Sequence, residues 1–442
     1  MEIFTIAIDD NRGQEKYLVY RPLTGLAFVA NSSMAQLAAR VATDEYTQIN
    51  GDVRSFLETI GFFRPDPPIP SPPTRSLSTA VLLLTNSCNL RCIYCYAAAG
   101  EKPLSVLDED HGRTAIEYIA KQAIDNGFSS FTLAFHGGGE PTTAWILLQR
   151  LVIFARQQQL PVNVQLTSNA IWTDQQSDWI LENIDLVSIS MDGAPLTQDH
   201  QRPLVSGGSS SGIVMQNLQK LDRNKKKYGI RMTTTAPFDR LPDDVAFICQ
   251  ETACRVIQVE PAFNNTRGAH LPPNSEQAGL FVDSFLHAHR LAETQNCRLY
   301  YSGARPGVVT SNFCTSPYQA LVVAPGGHIV ACYEITEPTH PMYAMSRFGS
   351  VESGNVELNQ ESRNKLLEIF AKRRDGCRDC FCYWSCAGDC YTRAMGSGPN
   401  GYLWRSPRCT INQSITSALI LEQIAKGNGV WAYLNMGKAP LG

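Results

Sequence analysis

Cys88, Cys92 and Cys95 stand in the stretch Thr85-Asn86-Ser87-Cys88-Asn89-Leu90-Arg91-Cys92-Ile93-Tyr94-Cys95, directly after the apolar run 80–84. Three thiolates on one tight loop can hold three irons of a cubane cluster and leave the fourth iron without a protein ligand. Such an open iron is a place for chemistry, whereas a closed four-cysteine site serves electron transfer or structure. Zinc more often takes paired cysteines from two knuckles, and an odd triplet in a long chain does not suit a disulfide framework. The spacing therefore favours an iron–sulfur cluster. A second motif, His136-Gly137-Gly138-Gly139-Glu140-Pro141, follows the next apolar run. Its glycines allow a close backbone approach to a ligand, and its carboxylate can accept from an ammonium group. Small polar groups at Ser168 and Asn169 suit hydroxyl and carboxylate ligands, or equally a helix N-cap.

Cysteines return in the last third. Cys314 is followed by Gly327 and, five positions on, Cys332; then come Cys377, Cys380, Cys386, Cys390 and finally Cys409.

The elements that must position these residues follow from periodicity. Strand-like runs at 80–84, 131–135, 162–167, 186–190, 230–235 and 256–260 alternate with helical patterns at 108–123, 144–157, 175–184 and 213–227. Six βα units predict a parallel sheet with outer helices, an open barrel or a doubly wound sheet, with the site on loops at the C-terminal strand ends. The cysteine triplet lies in the first such loop. The glycine- and serine-rich segment 206–212 reads as a surface loop. A further helix is expected around 275–294.

Residues 1–64 read as a separate small module, with strands near 3–8, 17–20 and 26–30 and helices near 34–41 and 53–62. The proline-dense stretch beginning at Arg64 stiffens an extended spacer, residues 65–76.

Length and composition are consistent with this. A chain of 442 residues exceeds one ordinary core, so two or three domains are expected. A net charge of −3 gives no electrostatic reason for nucleic acid or an anionic membrane, and no apolar run approaches a membrane span. Fourteen cysteines without a secretory signal favour metal ligation in a reducing cytoplasm.

The triplet, with the aromatic Tyr94 before its third cysteine, resembles the signature of the radical S-adenosylmethionine (SAM) enzymes. The resemblance implies that the open iron binds the amino and carboxylate groups of SAM, and that an electron from the cluster releases a 5′-deoxyadenosyl radical. Gly138, Gly139 and Glu140 look like the family's Gly-Gly-Glu motif at the SAM amino group. Ser168 and Asn169 occupy a further SAM-contacting strand end. Ser190 opens Ser190-Met191-Asp192-Gly193, which is similar to a recurring segment of peptide-modifying members, although Asp192 also suits a turn cap.

The seven later cysteines match the pattern of the SPASM extension. By resemblance, auxiliary cluster I would take Cys314, Cys332 and Cys390, and auxiliary cluster II would take Cys377, Cys380, Cys386 and Cys409. Three [4Fe–4S] clusters are implied. Cys297 is the nearest upstream cysteine that could complete cluster I; otherwise that cluster is open to another ligand. Cys382, Cys249 and Cys254 read as packed thiols. The N-terminal module resembles the winged-helix recognition element of enzymes that modify ribosomally made peptides.

The expected architecture is thus α/β: a winged-helix-like domain (1–64), a linker (65–76), a partial (β/α)6 TIM-like barrel (77–300) and a cysteine-rich SPASM domain (301–442). The implied activity is that of a peptide maturase. A leader would dock on residues 1–64, a core peptide would enter the barrel mouth, and a flavodoxin- or ferredoxin-like reductant would supply electrons. A carbon–carbon cross-link of cyclophane or macrocycle type is favoured; thioether formation, epimerisation and splicing remain alternatives. Formylglycine formation in sulfatases is disfavoured, because Tyr333 rather than aspartate follows Cys332. An electron carrier or a peptide-binding scaffold is the non-enzymatic alternative. Glu260, Asp192, Arg267, Tyr333 and Glu334 are the candidates for a base or a substrate-steering group, with a Glu260–Arg267 ion pair as the structural reading of those two.

Overall fold

The computed structural model describes residues 1–8, 15–42, 49–268, 271–394 and 408–432. The remaining parts of the segment 301–442 lie outside the described residues.

Short apolar runs separated by turns give β1 (Phe4–Ile8), β2 (Lys16–Arg21) and β3 (Leu26–Asn31), antiparallel in that order, then the helices Ser32–Ala42 and Gly51–Thr59. One face packs Val19, Phe28 and Ala30 with Leu57 and Phe62. The other packs Leu18, Tyr20 and Ala27 with Ile420 and Ile424 of the helix Arg408–Lys426. A fourth strand, numbered β15 (Val430–Ala432), arrives from the far end of the chain and pairs antiparallel with Leu26, Ala27 and Phe28 of β3. The N-terminal sheet is therefore completed and buried by C-terminal residues.

Residues 64–78 form no helix or strand, as expected for a chain whose prolines lack backbone donors. They are nonetheless strapped down. The fully buried Arg21 donates to the Arg64 carbonyl at 2.9 Å and to the Asp66 carboxylate at 2.5 Å. Ser311 Oγ donates to the Ser71 carbonyl at 2.9 Å.

The central sheet has the order β10-β9-β8-β7-β6-β5-β4-β11-β12-β13-β14. The strands are β4 (Thr79–Leu82), β5 (Phe131–Phe135), β6 (Val162–Ser168), β7 (Leu186–Ser190), β8 (Tyr228–Thr235), β9 (Val256–Ala262), β10 (Arg298–Tyr301), β11 (Ala320–Val323), β12 (His328–Val330), β13 (Arg347–Glu352) and β14 (Asn355–Leu358). Pairing is parallel from β10 through β4 to β11, then antiparallel to β14. Helices between the parallel strands cover the sheet, and buried residues such as Leu133, Val164, Val187 and Ile257 fill the core, as parallel sheets require. Side-chain caps fix several helix starts, including the capping boxes Thr173–Gln176 and Asn274–Gln277.

All six expected βα strands are present as β4 to β9. The C-terminal region is not a detached layer: β10 extends one end of the sheet, and β11 to β14 extend the other from β4. No helix among the described residues is long and apolar enough to cross a membrane.

Candidate active site

The C-terminal ends of the parallel strands enclose a chamber of about 220 Å³. Cys88, Cys92 and Cys95 line it, with Tyr94, Gly138, Gly139, Glu140, Ser168, Asn169 and Ser190. The cysteine loop is clamped from two sides. Gly139 N donates to the Thr85 carbonyl at 2.7 Å and Glu140 N to the Ser87 carbonyl at 2.8 Å. A Cβ on Gly139 would lie 2.0 Å from the Ser87 oxygen, and Gly138 has φ +88°. These glycines are thus required first by the packing of two loops against each other, in addition to any ligand approach.

Arg267 clamps the other side. Its guanidinium donates to the carbonyls of Cys92 (2.5 Å) and Ala99 (2.9 Å) and engages the Glu101 carboxylate. The expected Glu260–Arg267 pair is not formed, and Arg267 acts as a fastener of the cysteine loop. Asp192 is likewise turned away from the chamber. It is 1% exposed, accepts from Tyr94 Oη at 2.5 Å and from Thr233 N at 3.0 Å, and lies 3.8 Å from Arg202. Its oxygens are engaged by Tyr94, Thr233 and Arg202 rather than presented to the chamber.

Glu140 is buried and accepts from Ser168 Oγ (2.7 Å), Asn169 N (2.8 Å), Thr142 Oγ1 (2.8 Å) and Thr142 N (3.2 Å). Burial pushes its carboxyl above the ordinary value, against these hydrogen bonds, which favour the anion. Ser168 and Asn169 therefore do not cap a helix; the helix that follows starts at the Thr173 cap. Glu140→Ala would strand donors that each cost roughly 1–3 kcal/mol when unpaired. We expect at least about tenfold weaker SAM binding by titration calorimetry and a lower melting temperature, with Glu140→Gln milder.

The far wall of the chamber was only partly legible in the sequence. Glu260, Tyr333 and Glu334 line it, as anticipated, together with His136, Arg231, Gln258 and Arg393. Arg231 interrupts an otherwise uncharged strand, and that is the signal that could have identified it. The His136 ring stacks on Tyr333 at 4.0 Å between centroids, and burial drives its pKa down to about 3, so the imidazole is neutral. Tyr333 and Glu334 belong to the loop after β12, so one peptide segment offers Cys332 and two chamber side chains. From Glu334 a run of ion pairs leads from the chamber wall into the protein: Glu334–Arg393 (2.8 Å), Arg393–Glu260 (3.4 Å), Glu260–Arg408 (3.8 Å) and Arg408–Asp389 (3.0 Å).

The later cysteines gather in two places. Cys377, Cys380, Cys386 and Cys409 surround one small cavity with the buried Cys382. Gln413 Nε2 donates to Cys380 Sγ at 3.2 Å and Asn412 Nδ2 to Cys386 Sγ at 3.5 Å. Cys314, Cys332 and Cys390 all act electrostatically on the buried Tyr391. Thr392 Oγ1 donates to Cys332 Sγ at 3.5 Å. Cys297 does not join them. It precedes β10 at the opposite end of the strands, where its thiol meets Cys249 and approaches the Cys254 carbonyl.

The donor sets, three thiols on one loop and a second group of four around a single cavity, suit thiolate-ligated iron–sulfur clusters. Burial pushes the Cys88 and Cys390 thiols up to about 12, so bare sites would hold protonated sulfur until a metal replaced the proton.

A family model described as a 4Fe-4S single cluster domain matches residues 77–215. The chain is 25% identical over 361 residues to the cysteine-type anaerobic sulfatase-maturating enzyme of Clostridium novyi, covering 74% of this chain and 91% of that protein. In fold it resembles native anSMEcpe with bound AdoMet and Kp18Cys peptide (TM-score 0.64, 18% identity, 79% of this chain and 99% of that one). It also resembles Streptococcus suis SuiB bound to its precursor peptide SuiA (TM-score 0.52, 12% identity, 91% and 99%). The cysteine triplet, its Gly-Gly-Glu partner and these likenesses together make the chain similar, in sequence and in fold, to radical SAM enzymes that mature peptides.

Proposed function

We propose that this chain is a peptide maturase that joins two positions of a ribosomally made precursor by an oxidative carbon–carbon bond. The observation that carries the reading is the convergence on one chamber of the Cys88–Cys95 loop and the Tyr333–Glu334 segment that follows Cys332. Cys88, Cys92 and Cys95 would hold a [4Fe–4S] cluster with one open iron, and the Gly138–Glu140 and Ser168–Asn169 loops would frame SAM. When bound, these groups supply a reducing electron and a carbon-centred radical able to take hydrogen from an unactivated C–H bond.

The protein's contribution is position and exclusion. Arg267 and the Gly138–Glu140 strap fix the cysteine loop, Asp192 and Arg202 fix Tyr94, and Glu140 aligns Ser168 with Asn169. Glu260, Glu334, Arg231 and Tyr333 form the polar wall against which the core peptide would lie. Cys314, Cys332 and Cys390 would hold auxiliary cluster I, with no fourth cysteine beside them among the described residues, and Cys377, Cys380, Cys386 and Cys409 would hold cluster II, making three clusters. The architecture fits a partial barrel (77–300) carrying the SPASM region (301–442). The N-terminal module (1–64), winged-helix-like in its strands and helices, would take the leader, and a flavodoxin or ferredoxin in the cytoplasm would serve as reductant. A bound peptide in two of the structural neighbours supports a peptide substrate.

Formylglycine formation is the second reading, favoured by the likeness to the Clostridium novyi enzyme and opposed by Tyr333 after Cys332. Mass spectrometry separates the two. A precursor incubated with the loaded enzyme is expected to lose two hydrogens and to resist fragmentation between the joined residues. Loss of a cysteine side-chain sulfur would support formylglycine, and an unchanged peptide would remove both readings.

A further inference from the structure

Cys377, Cys380, Cys386 and Cys409 stand around one cavity, and a single helix turns side-chain amides onto two of their sulfurs. Consecutive residues of the helix Arg408–Lys426 do this. Asn412 Nδ2 donates to Cys386 Sγ at 3.5 Å, and Gln413 Nε2 donates to Cys380 Sγ at 3.2 Å. Cys409, one turn before Gln413 on the same helix, lines the same cavity.

The Asn412 amide is held in this orientation from the far side. Tyr301 Oη donates to its Oδ1 at 3.0 Å, which leaves the NH2 group for Cys386. Tyr301 is a fully buried residue of β10, and a Cβ at Gly303 would lie 2.2 Å from the same Asn412 oxygen. An edge strand of the central sheet thus fixes an amide that acts at the cysteine cavity.

A thiolate bound to iron carries negative charge, and reduction of a cluster adds to it. A donor aimed at the sulfur therefore favours the reduced state and raises the reduction potential. The charges that act on Cys386, those of Asp389 and Arg305, oppose each other. The buried Cys382 thiol meets Cys380 as well, but a thiol is a weak donor beside an amide.

We propose that Asn412 and Gln413 set the potential of auxiliary cluster II: their amides bond its sulfurs and make the cluster easier to reduce than four cysteines alone would. The proposal rests on the assignment of Cys377, Cys380, Cys386 and Cys409 to that cluster, and adds which side chains tune it.

The test is a redox titration of the full, anaerobically cluster-loaded chain, followed by electron paramagnetic resonance. The signal of cluster II is the one absent when Cys377→Ala and Cys409→Ala are combined. At a fixed potential, its reduced-to-oxidised ratio should fall between about threefold and tenfold with Gln413→Leu. It should fall further with Gln413→Glu, which sets a negative oxygen against Cys380. Gln413→Lys should keep the ratio at or above that of the unaltered chain. The donor role orders these variants by charge, whereas a packing role would order them by size and shape. A ratio unmoved by Gln413→Leu and Gln413→Glu, or lowered equally by Gln413→Lys, would overturn the proposal. Should a variant lose iron, the unaltered chain still decides. With isotopically labelled asparagine and glutamine, pulsed resonance should show side-chain nitrogen coupled to reduced cluster II, and its absence would also overturn the proposal. A chain with no signal that depends on Cys377 and Cys409 would instead bring down the cluster II assignment itself, and the proposal with it.

Discussion

Replacing Cys88, Cys92 and Cys95 together with alanine is expected to remove roughly four irons per chain and to abolish formation of 5′-deoxyadenosine. The three sulfurs face one chamber from a loop held at both flanks, by the Gly139 and Glu140 amides and by Arg267. β4, which leads into that loop, is paired on both sides, with β5 and β11, so the surrounding fold should hold without the three thiols. Iron in the proposed auxiliary clusters should therefore survive, and colorimetric iron analysis beside chromatography of the nucleoside checks both halves. Full iron content in the triple variant would mean that the triplet holds no cluster.

The second large effect concerns Asp389. It is buried, lies beside Cys390 and pairs with Arg408, itself 4% exposed, at 3.0 Å. Burial raises its carboxyl, but Arg408 wins and holds it below the usual carboxylate value. Asp389→Ala would take from the buried Arg408 its 3.0 Å partner, with Glu260 still 3.8 Å away. Breaking a buried pair from one side costs about 3–5 kcal/mol. Because Asp389 accepts from Cys390 N at 2.8 Å and acts electrostatically on Cys386, the loss should fall on the auxiliary iron. Thermal unfolding followed by circular dichroism should show a lower transition, with SAM cleavage largely retained. The double change Asp389→Asn with Arg408→Gln should recover much of the stability, since a neutral pair replaces a buried ionic one and Asn tolerates the left-handed backbone at φ +63° and can still accept from Cys390 N. A single Asp389→Ala change that left both melting and iron content intact would show the ion-pair run to be dispensable.

The parts of the site visible in the sequence were those set by local spacing. The triplet, the Gly138–Glu140 turn, Ser168 and Asn169 each sit at the end of a strand with its own apolar run, and all of them line the chamber. What the sequence hid depends on contacts between distant segments. Arg267 looked like a partner for Glu260 because it follows the sixth strand of the βα series, on whose last residues Glu260 stands, but the chain turns it back onto Cys92, and Arg393 and Arg408 reach Glu260 instead. Asp192 looked available, but Tyr94 and Thr233 occupy its oxygens. β11, β12 and β14 have three or four residues, too few to show a period, and β15 is three residues whose partner strand lies about four hundred positions away. Cys297 was the natural fourth ligand by order along the chain, yet it precedes its strand whereas the chamber follows the strand ends.

The central claim is that the chamber holds an open cluster iron that cleaves SAM. Its most direct test is anaerobic incubation of the unaltered, cluster-loaded chain with SAM and dithionite, followed by quantitation of 5′-deoxyadenosine and methionine. The account predicts both products in equal amounts; SAM recovered intact from a fully iron-loaded chain would contradict it.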